Sequence, residues 1–271
     1  MRVCIIGTGK MGSALATGLV RGRAMKPKEL VLFDHDYKKA RALAQKLGAR
    51  AAKSAHEAAR AADVIVLAVK PDAVEAALTG MRGALAGKLV VSIAAAVPLR
   101  FIELCIPKSA RAAAAMPNIP MHVCRGMGVY CLGRKATRRD AEILRKLFSS
   151  VGQSHEVKDE RLLDAALITG SGNAFVYLII DAMAKAGEKA GLSRRDALKL
   201  AASAAEGAGA MARESGLETE DLIALVATKK GVTAEGLEHL KRAGVHDSFR
   251  CAMLECIRAA AKRRRRSGRK K

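Results

Sequence analysis

Gly7, Gly9 and Gly12 fall in the order G-x-G-x-x-G within Gly7-Thr8-Gly9-Lys10-Met11-Gly12. Glycines at this spacing can cradle a pyrophosphate. Gly7 permits a tight turn, Gly9 lets the backbone come close to phosphate, and Gly12 lets the next helix pack near the strand. A helix start adds free N–H groups and the positive end of the helix dipole. Such a string is weak alone and gains weight from its context. Val3–Ile6 before it is an apolar run that reads as a buried strand, and Ser13–Val20 after it reads as a helix. Strand, turn and helix in that order point to a dinucleotide site, with Lys10 and Met11 on the same turn.

Two further positions fit that site. Asp34 ends a second strand, Leu30–Phe33. It is placed to accept from a ribose 2′-OH and to repel a 2′-phosphate, which favours NADH over NADPH. His35, Lys38 and Lys39 are near in sequence and could neutralise a 2′-phosphate if Asp34 turns away. The simpler reading of Asp34 is an N-cap for the helix that follows. Lys70 and Pro71 follow Val64–Val69, a continuous apolar run typical of a central parallel strand. Ligands of open α/β sheets lie at such strand ends, so Lys70 reads as a cofactor contact, with an exposed loop lysine as the alternative.

Other chemistry is scarce. The six histidines form no H-E-x-x-H pair, and no G-x-S-x-G is present. The six cysteines include no C-x-x-C, and His122 beside Cys124 has no second pair at zinc spacing. No metal site is expected. The cysteines read as thiols in a reducing compartment.

The elements that must hold these residues alternate. A helix over Lys38–Leu47 stops at Gly48, and Ser54 with Glu57 forms a capping box. Leu89–Ile93, Met127–Leu132 and Ser154–Val157 are further strands, and Thr137–Ser149 is a helix. Arg111–Ala115 leads into Met116-Pro-Asn-Ile-Pro120. The pattern predicts a doubly wound, Rossmann-type α/β sheet over residues 1–157. Beyond it no strand signal appears. Helices are predicted over Asn173–Ala190, from Ser193 to about Glu214, and over Thr219–Ala227, Thr233–Ala243 and Val245 to about Arg264. Residues 158–262 are thus an all-helical domain, and 263–271 a basic, disordered tail.

The 271 residues carry a net charge of +22, with eight basic and no acidic residues in Lys262–Lys271. Such a surface favours anionic partners. The tail lacks the aromatics that stack bases, so nucleic acid is not expected beyond a contact by the tail itself. Trp is absent and aromatics make up only 3%, so the core must be aliphatic. No uncharged run of about 18 apolar residues exists, so no membrane span is expected and a cytoplasmic location is.

Taken together, the chain resembles pyrroline-5-carboxylate reductase up to about Arg263. The resemblance is carried by Ile6–Gly12, Ala68-Val-Lys-Pro71, Ser92-Ile-Ala-Ala95, Ala115-Met-Pro-Asn118 with Pro120, Gly170-Ser-Gly172 with Ala174, and Gly231-Val-Thr233. It implies a Rossmann domain followed by a helical dimerisation domain, with dimers that can build rings. It also implies that NADH or NADPH reduces the C=N bond of a cyclic imino acid to give proline. Ala68, Val69, Lys70, Pro71, Ala94 and Asn118 would then border the cofactor. Thr228, Gly231, Val232 and Thr233 would form the substrate loop. Thr233 would face the imine nitrogen, with loop N–H groups binding the carboxylate. Thr233 also reads as a helix N-cap, and it could serve as both.

The loop departs from the family's Ser-Pro-Gly-Gly-Thr-Thr. It reads Thr228-Lys229-Lys230-Gly231-Val232-Thr233, and Asn173 replaces a Pro. Two other readings share parts of the pattern. A hydroxyacid dehydrogenase of the 3-hydroxyisobutyrate type has the same glycine turn, but its catalytic Lys has no counterpart in Asn173–Ile180. A non-catalytic nucleotide-binding regulator would need only the glycine turn.

Overall fold

The computed structural model describes residues 1–229 and 231–269, with side chains up to 266. Eight short segments pair into one sheet: β1 (Val3–Ile6), β2 (Leu30–Phe33), β3 (Arg50–Ala51), β4 (Val64–Leu67), β5 (Leu89–Ser92), β6 (Arg111–Met116), β7 (Gly126–Leu132) and β8 (Gly152–Glu156). Their order is β3-β2-β1-β4-β5-β6-β7-β8. Every pair is parallel except β6 with β7. The strand order reverses between β1 and β4, the place where doubly wound sheets bind ligands. Ile6 is level with both Phe33 and Leu67, so the chain leaves these three strands at one edge.

Alternation of side chains along buried strands builds two cores. Cys4 and Ile6 point into one, with Val74, Leu78 and Met81 of α4 (Val74–Met81). Val3 and Ile5 point into the other, with Leu15, Ala16 and Leu19 of α1 (Lys10–Arg21). The remaining helices of this half are α2 (Tyr37–Leu47), α3 (Ala55–Arg60), α5 (Leu99–Cys105), α6 (Arg138–Ser149), α7 (Leu162–Ala165) and α8 (Leu167–Gly170).

The second half is helical: α9 (Gly172–Lys189), α10 (Arg194–Glu214), α11 (Thr219–Val226), α12 (Val232–Arg242) and α13 (Val245–Arg269). Ser193 caps α10 by accepting from the Asp196 N–H at 3.1 Å, as the sequence predicts. Small residues bring α9 and α10 close: a Cβ on Gly187 would stand 3.3 Å from that of Ala197. Ala184, Ala197 and Ala201 form their small core. Outside it, Val176, Tyr177, Leu178, Ile179 and Met183 of α9 are exposed.

The stretch Leu162–Lys189 is long and apolar enough to cross a membrane by length and composition, with a mean hydropathy of 1.5 and 17% of that window buried. Such a surface also suits burial against another copy of the chain.

The chain divides into compact units of Met1–Gly170 with the segment from Ile257, and Ser171–Cys256. Leu163 and Ala166 join the core of the first unit, which carries that compact unit to residue 170. Residues 263–269, expected to be a disordered tail, continue α13. Arg264 anchors them, donating to the Glu160 carbonyl at 2.7 Å and to Asp164 at 2.9 Å. Lys270 and Lys271 lie outside the described residues.

Candidate functional site

The glycine turn has the geometry its spacing demands. Gly7 sits at φ +102°, and its N–H donates to the Phe33 carbonyl at 2.7 Å. A Cβ on Gly7 would lie 2.6 Å from the Ala68 carbonyl oxygen, and one on Gly12 only 2.0 Å from that of Gly7. Nothing stands within 4 Å of the place a Cβ would take on Gly9. Gly9 is also the N-cap of α1 and supplies no side-chain acceptor to the first N–H groups of that helix. An open cradle of N–H groups at a helix start fits a dinucleotide diphosphate.

Asp34 lies beside the turn and is only 7% exposed. Its Oδ2 accepts from the Thr8 N–H at 2.7 Å and the Thr8 hydroxyl at 2.9 Å. Its Oδ1 accepts from the Asp36 N–H at 3.1 Å and meets His35 Nδ1 at 2.9 Å. Burial pushes the carboxyl upward in pKa, but these donors and the His35 charge outweigh it and hold it below the usual value. The helix cap is Asp36, which accepts from the Lys38 N–H at 3.2 Å, and Lys39 pairs with Asp36 at 3.6 Å. Asp34 therefore does not cap α2.

A cleft of about 260 Å³ opens beside Asp34 and His35, walled by Phe33, Val69, Ala73, Ala76 and Ala77. Its apolar walls and single polar end suit an adenosine. Val69 lines it, while Ala68 packs beneath the glycine turn. Lys70 and Pro71 are exposed at the strand end, outside the cleft lining. Ala94 is half-buried after β5, and its N–H donates to Ser92 Oγ at 3.3 Å. Nearby Ala96 occupies the left-handed region at φ +62°.

Asn118 is 7% exposed, with both ends of its amide engaged inside the chain. Its Nδ2 donates to the Thr169 carbonyl at 2.9 Å, and its Oδ1 accepts from the Met127 N–H at 2.8 Å. It braces the segment after β6 against α8.

Thr228, Gly231, Val232 and Thr233, expected to form a substrate loop, lie in the second unit. The Gly231 N–H donates to the Thr228 carbonyl at 2.9 Å, and a Cβ on Gly231 would be 2.6 Å from Thr228 Oγ1. Gly231 itself is the N-cap of α12, and it brings no side chain to the helix start. Thr233 is therefore the second helical residue and not the cap. It is half-buried, and its hydroxyl has no partner among the described residues. Val232 is 87% exposed. Lys229 is exposed, Lys230 lies outside the described residues, and Asn173 sits in the first turn of α9.

Thr8 and Ala96 escaped the sequence reading. Neither residue type announces its role; both follow from backbone path. Among the described residues, no group of three or more His, Cys, Asp or Glu gathers as a metal site. Burial, opposed by the Lys88 charge, pushes the Cys4 thiol up to about 12.

Residues 160–266 match the family model for pyrroline-5-carboxylate reductase dimerisation. Residues 2–96 match that for NADP oxidoreductase, coenzyme F420-dependent. The chain is similar to the pyrroline-5-carboxylate reductase of Methanosarcina acetivorans, 34% identical over 93% of this chain and 94% of that one. It is 32% identical to the Arabidopsis thaliana enzyme of the same name, over 97% and 94%. Among solved structures, it is similar to a Plasmodium falciparum pyrroline carboxylate reductase with NADP bound. That likeness has a TM-score of 0.84, at 29% identity over 98% of each chain.

Proposed function

The chain belongs to the pyrroline-5-carboxylate reductase family, and from that premise we propose that it reduces 1-pyrroline-5-carboxylate to L-proline with NAD(P)H. The observation that carries this reading is the joint match. Relatives of that name align over nearly the whole chain, and a glycine cradle open at Gly9 is built in this one.

The first unit's residues bind and orient the cofactor. Gly7, Gly9 and Gly12, with the N–H groups of Lys10 and Met11, hold the diphosphate. Val69 receives the adenosine beside Asp34, and Ala68 supports the turn. Lys70, Pro71 and Ala94 border the same sheet edge, and Asn118 fixes the loop after β6. When bound, the reduced nicotinamide supplies the hydride.

The second unit's residues hold the imino acid. The free N–H groups at the start of α12, shaped by Thr228, Gly231 and Val232, bind its carboxylate. The Thr233 hydroxyl hydrogen-bonds the imine nitrogen, the atom that gains a proton as the neighbouring carbon is reduced. Positioning supplies much of the rate in such a reaction. The exposed apolar face of α9 supports a homo-oligomer, and within this proposal dimers can build a larger ring in the cytoplasm.

The reading is tested by steady-state kinetics with pyrroline-5-carboxylate and each nicotinamide cofactor. Turnover with 3-hydroxy acids but none with the imine would defeat it. Replacing Lys229-Lys230 by Pro-Gly tests the altered loop: activity is expected to persist, and its loss would give the lysines a role in binding.

A further inference from the structure

Arg264 belongs to the basic run near the chain's end, yet its side chain is only 12% exposed. Its Nη1 donates to the Glu160 carbonyl at 2.7 Å, and its Nη2 to Asp164 Oδ1 at 2.9 Å. Asp164 is itself buried. The Arg264 Nε is buried without a partner among the described residues. A guanidinium taken out of water at that cost needs a reason beyond its charge.

Glu160 supplies one. Its Oε2 lies 3.8 Å from Arg264 Nη1 and accepts from the Leu99 N–H at 2.7 Å. Leu99 is the first residue of α5, whose N-cap, Pro98, makes no side-chain cap. Glu160 therefore caps α5 from a distant part of the chain. The loop between β5 and α5 carries Ala94, and within it Ala96 stands at φ +62°. A non-glycine residue stays in that region only where its surroundings hold it. The sheet fixes one end of this loop through β5, and the Glu160–Leu99 bond fixes the other.

We propose that Arg264 is a positioning residue for the cofactor site. Acting through Glu160, it sets the loop between β5 and α5 at the sheet edge where the nicotinamide cofactor binds. The planar fork meets the Glu160 carbonyl and Asp164 in two fixed directions, which a lysine cannot reproduce. The inference rests on the cofactor reading given above.

The test uses the full-length chain, with NADPH binding followed by fluorescence and melting recorded in parallel. Glu160→Ala and Arg264→Met are expected to raise the NADPH Kd about fivefold to tenfold. Glu160→Gln, which keeps an acceptor for the Leu99 N–H, should recover most of that loss. Arg264→Lys should recover little, and Arg265→Met should leave the Kd unchanged. If wild type binds NADPH and either Glu160→Ala or Arg264→Met binds it equally well, the proposal is overturned, whatever happens to melting. An effect of Arg265→Met as large as that of Arg264→Met also overturns it. If wild type binds no NADPH, the cofactor reading fails and takes this inference with it. Should Arg264→Met not fold, Arg264→Lys decides: it is expected to bind NADPH about as weakly as Glu160→Ala, and wild-type affinity in it overturns the proposal.

Discussion

One oxygen of Asp34, Oδ2, receives both donors of a single residue, the Thr8 N–H at 2.7 Å and the Thr8 hydroxyl at 2.9 Å. The acid at the end of β2 thereby clamps the middle of the glycine turn. Its other oxygen accepts from the Asp36 N–H and meets His35, and in the proposed function it is the one that would meet a ribose. The two jobs separate by mutation. Thr8→Val removes the hydroxyl and leaves the acid, so the Kd for NADH and NADPH should rise together, by about tenfold, the low end of what one hydrogen bond to a charged group contributes. Asp34→Ser should also shift the ratio of kcat/KM toward NADPH. A Thr8→Val variant that shifts the ratio, or an Asp34→Ser variant that does not, contradicts this division.

Thr233 offers a similar separation. Since Gly231 caps α12, Thr233→Ala removes no cap and gains slightly in helix propensity. Its melting temperature should hold or rise a little. In its proposed role at the imine nitrogen, loss of the hydroxyl should lower kcat/KM at least about tenfold. Unchanged kinetics would remove Thr233 from the reaction.

The Arg111–Asp140 pair governs acid stability. Arg111 Nε donates to both Asp140 oxygens, at 3.0 and 2.9 Å, and Asp140 is 1% exposed. Burial raises the Asp140 pKa, but donation from the Thr137 N–H and hydroxyl and from Arg111 outweighs it, leaving it below the ordinary value. A folded pKa below the unfolded one, about 3.9, adds stability that is present above that pH and lost as pH falls through the folded value. Asp140→Asn should therefore cost about 3 kcal/mol near neutral pH. In urea unfolding, the gap from wild type should narrow below about pH 4. A gap constant down to pH 3 would be the wrong result.

Ala96 holds a left-handed backbone at φ +62°, which costs an alanine roughly 1–2 kcal/mol. Glycine removes that cost but adds unfolded-state entropy, roughly 0.4–1 kcal/mol. Ala96→Gly should therefore leave stability unchanged or raise it, by up to about 1.6 kcal/mol. A lower melting temperature would mean that the methyl group packs usefully.

What could be read from the sequence followed from local rules. Val3–Ile6, Leu30–Phe33 and the Ser193 cap are each set by a few adjacent residues, and the structure has them where the pattern puts them. β6 was hidden because Arg111-Ala-Ala-Ala-Ala-Met116 has helical propensity, and its strand form comes from burial between β5 and β7. The bonds of Asn118 to Thr169 and Met127 are long-range, and no local pattern announces them. Arg264 looked like one charge in a run, and only the fold brings Glu160 and Asp164 to it.

The central claim is reduction of a cyclic imine, and turnover of pyrroline-5-carboxylate by the purified chain tests it most directly. With NADH or NADPH present, the account predicts cofactor oxidation that depends on the imine and yields proline in equal amount. Cofactor oxidation without proline, or none at saturating imine and cofactor, would contradict it.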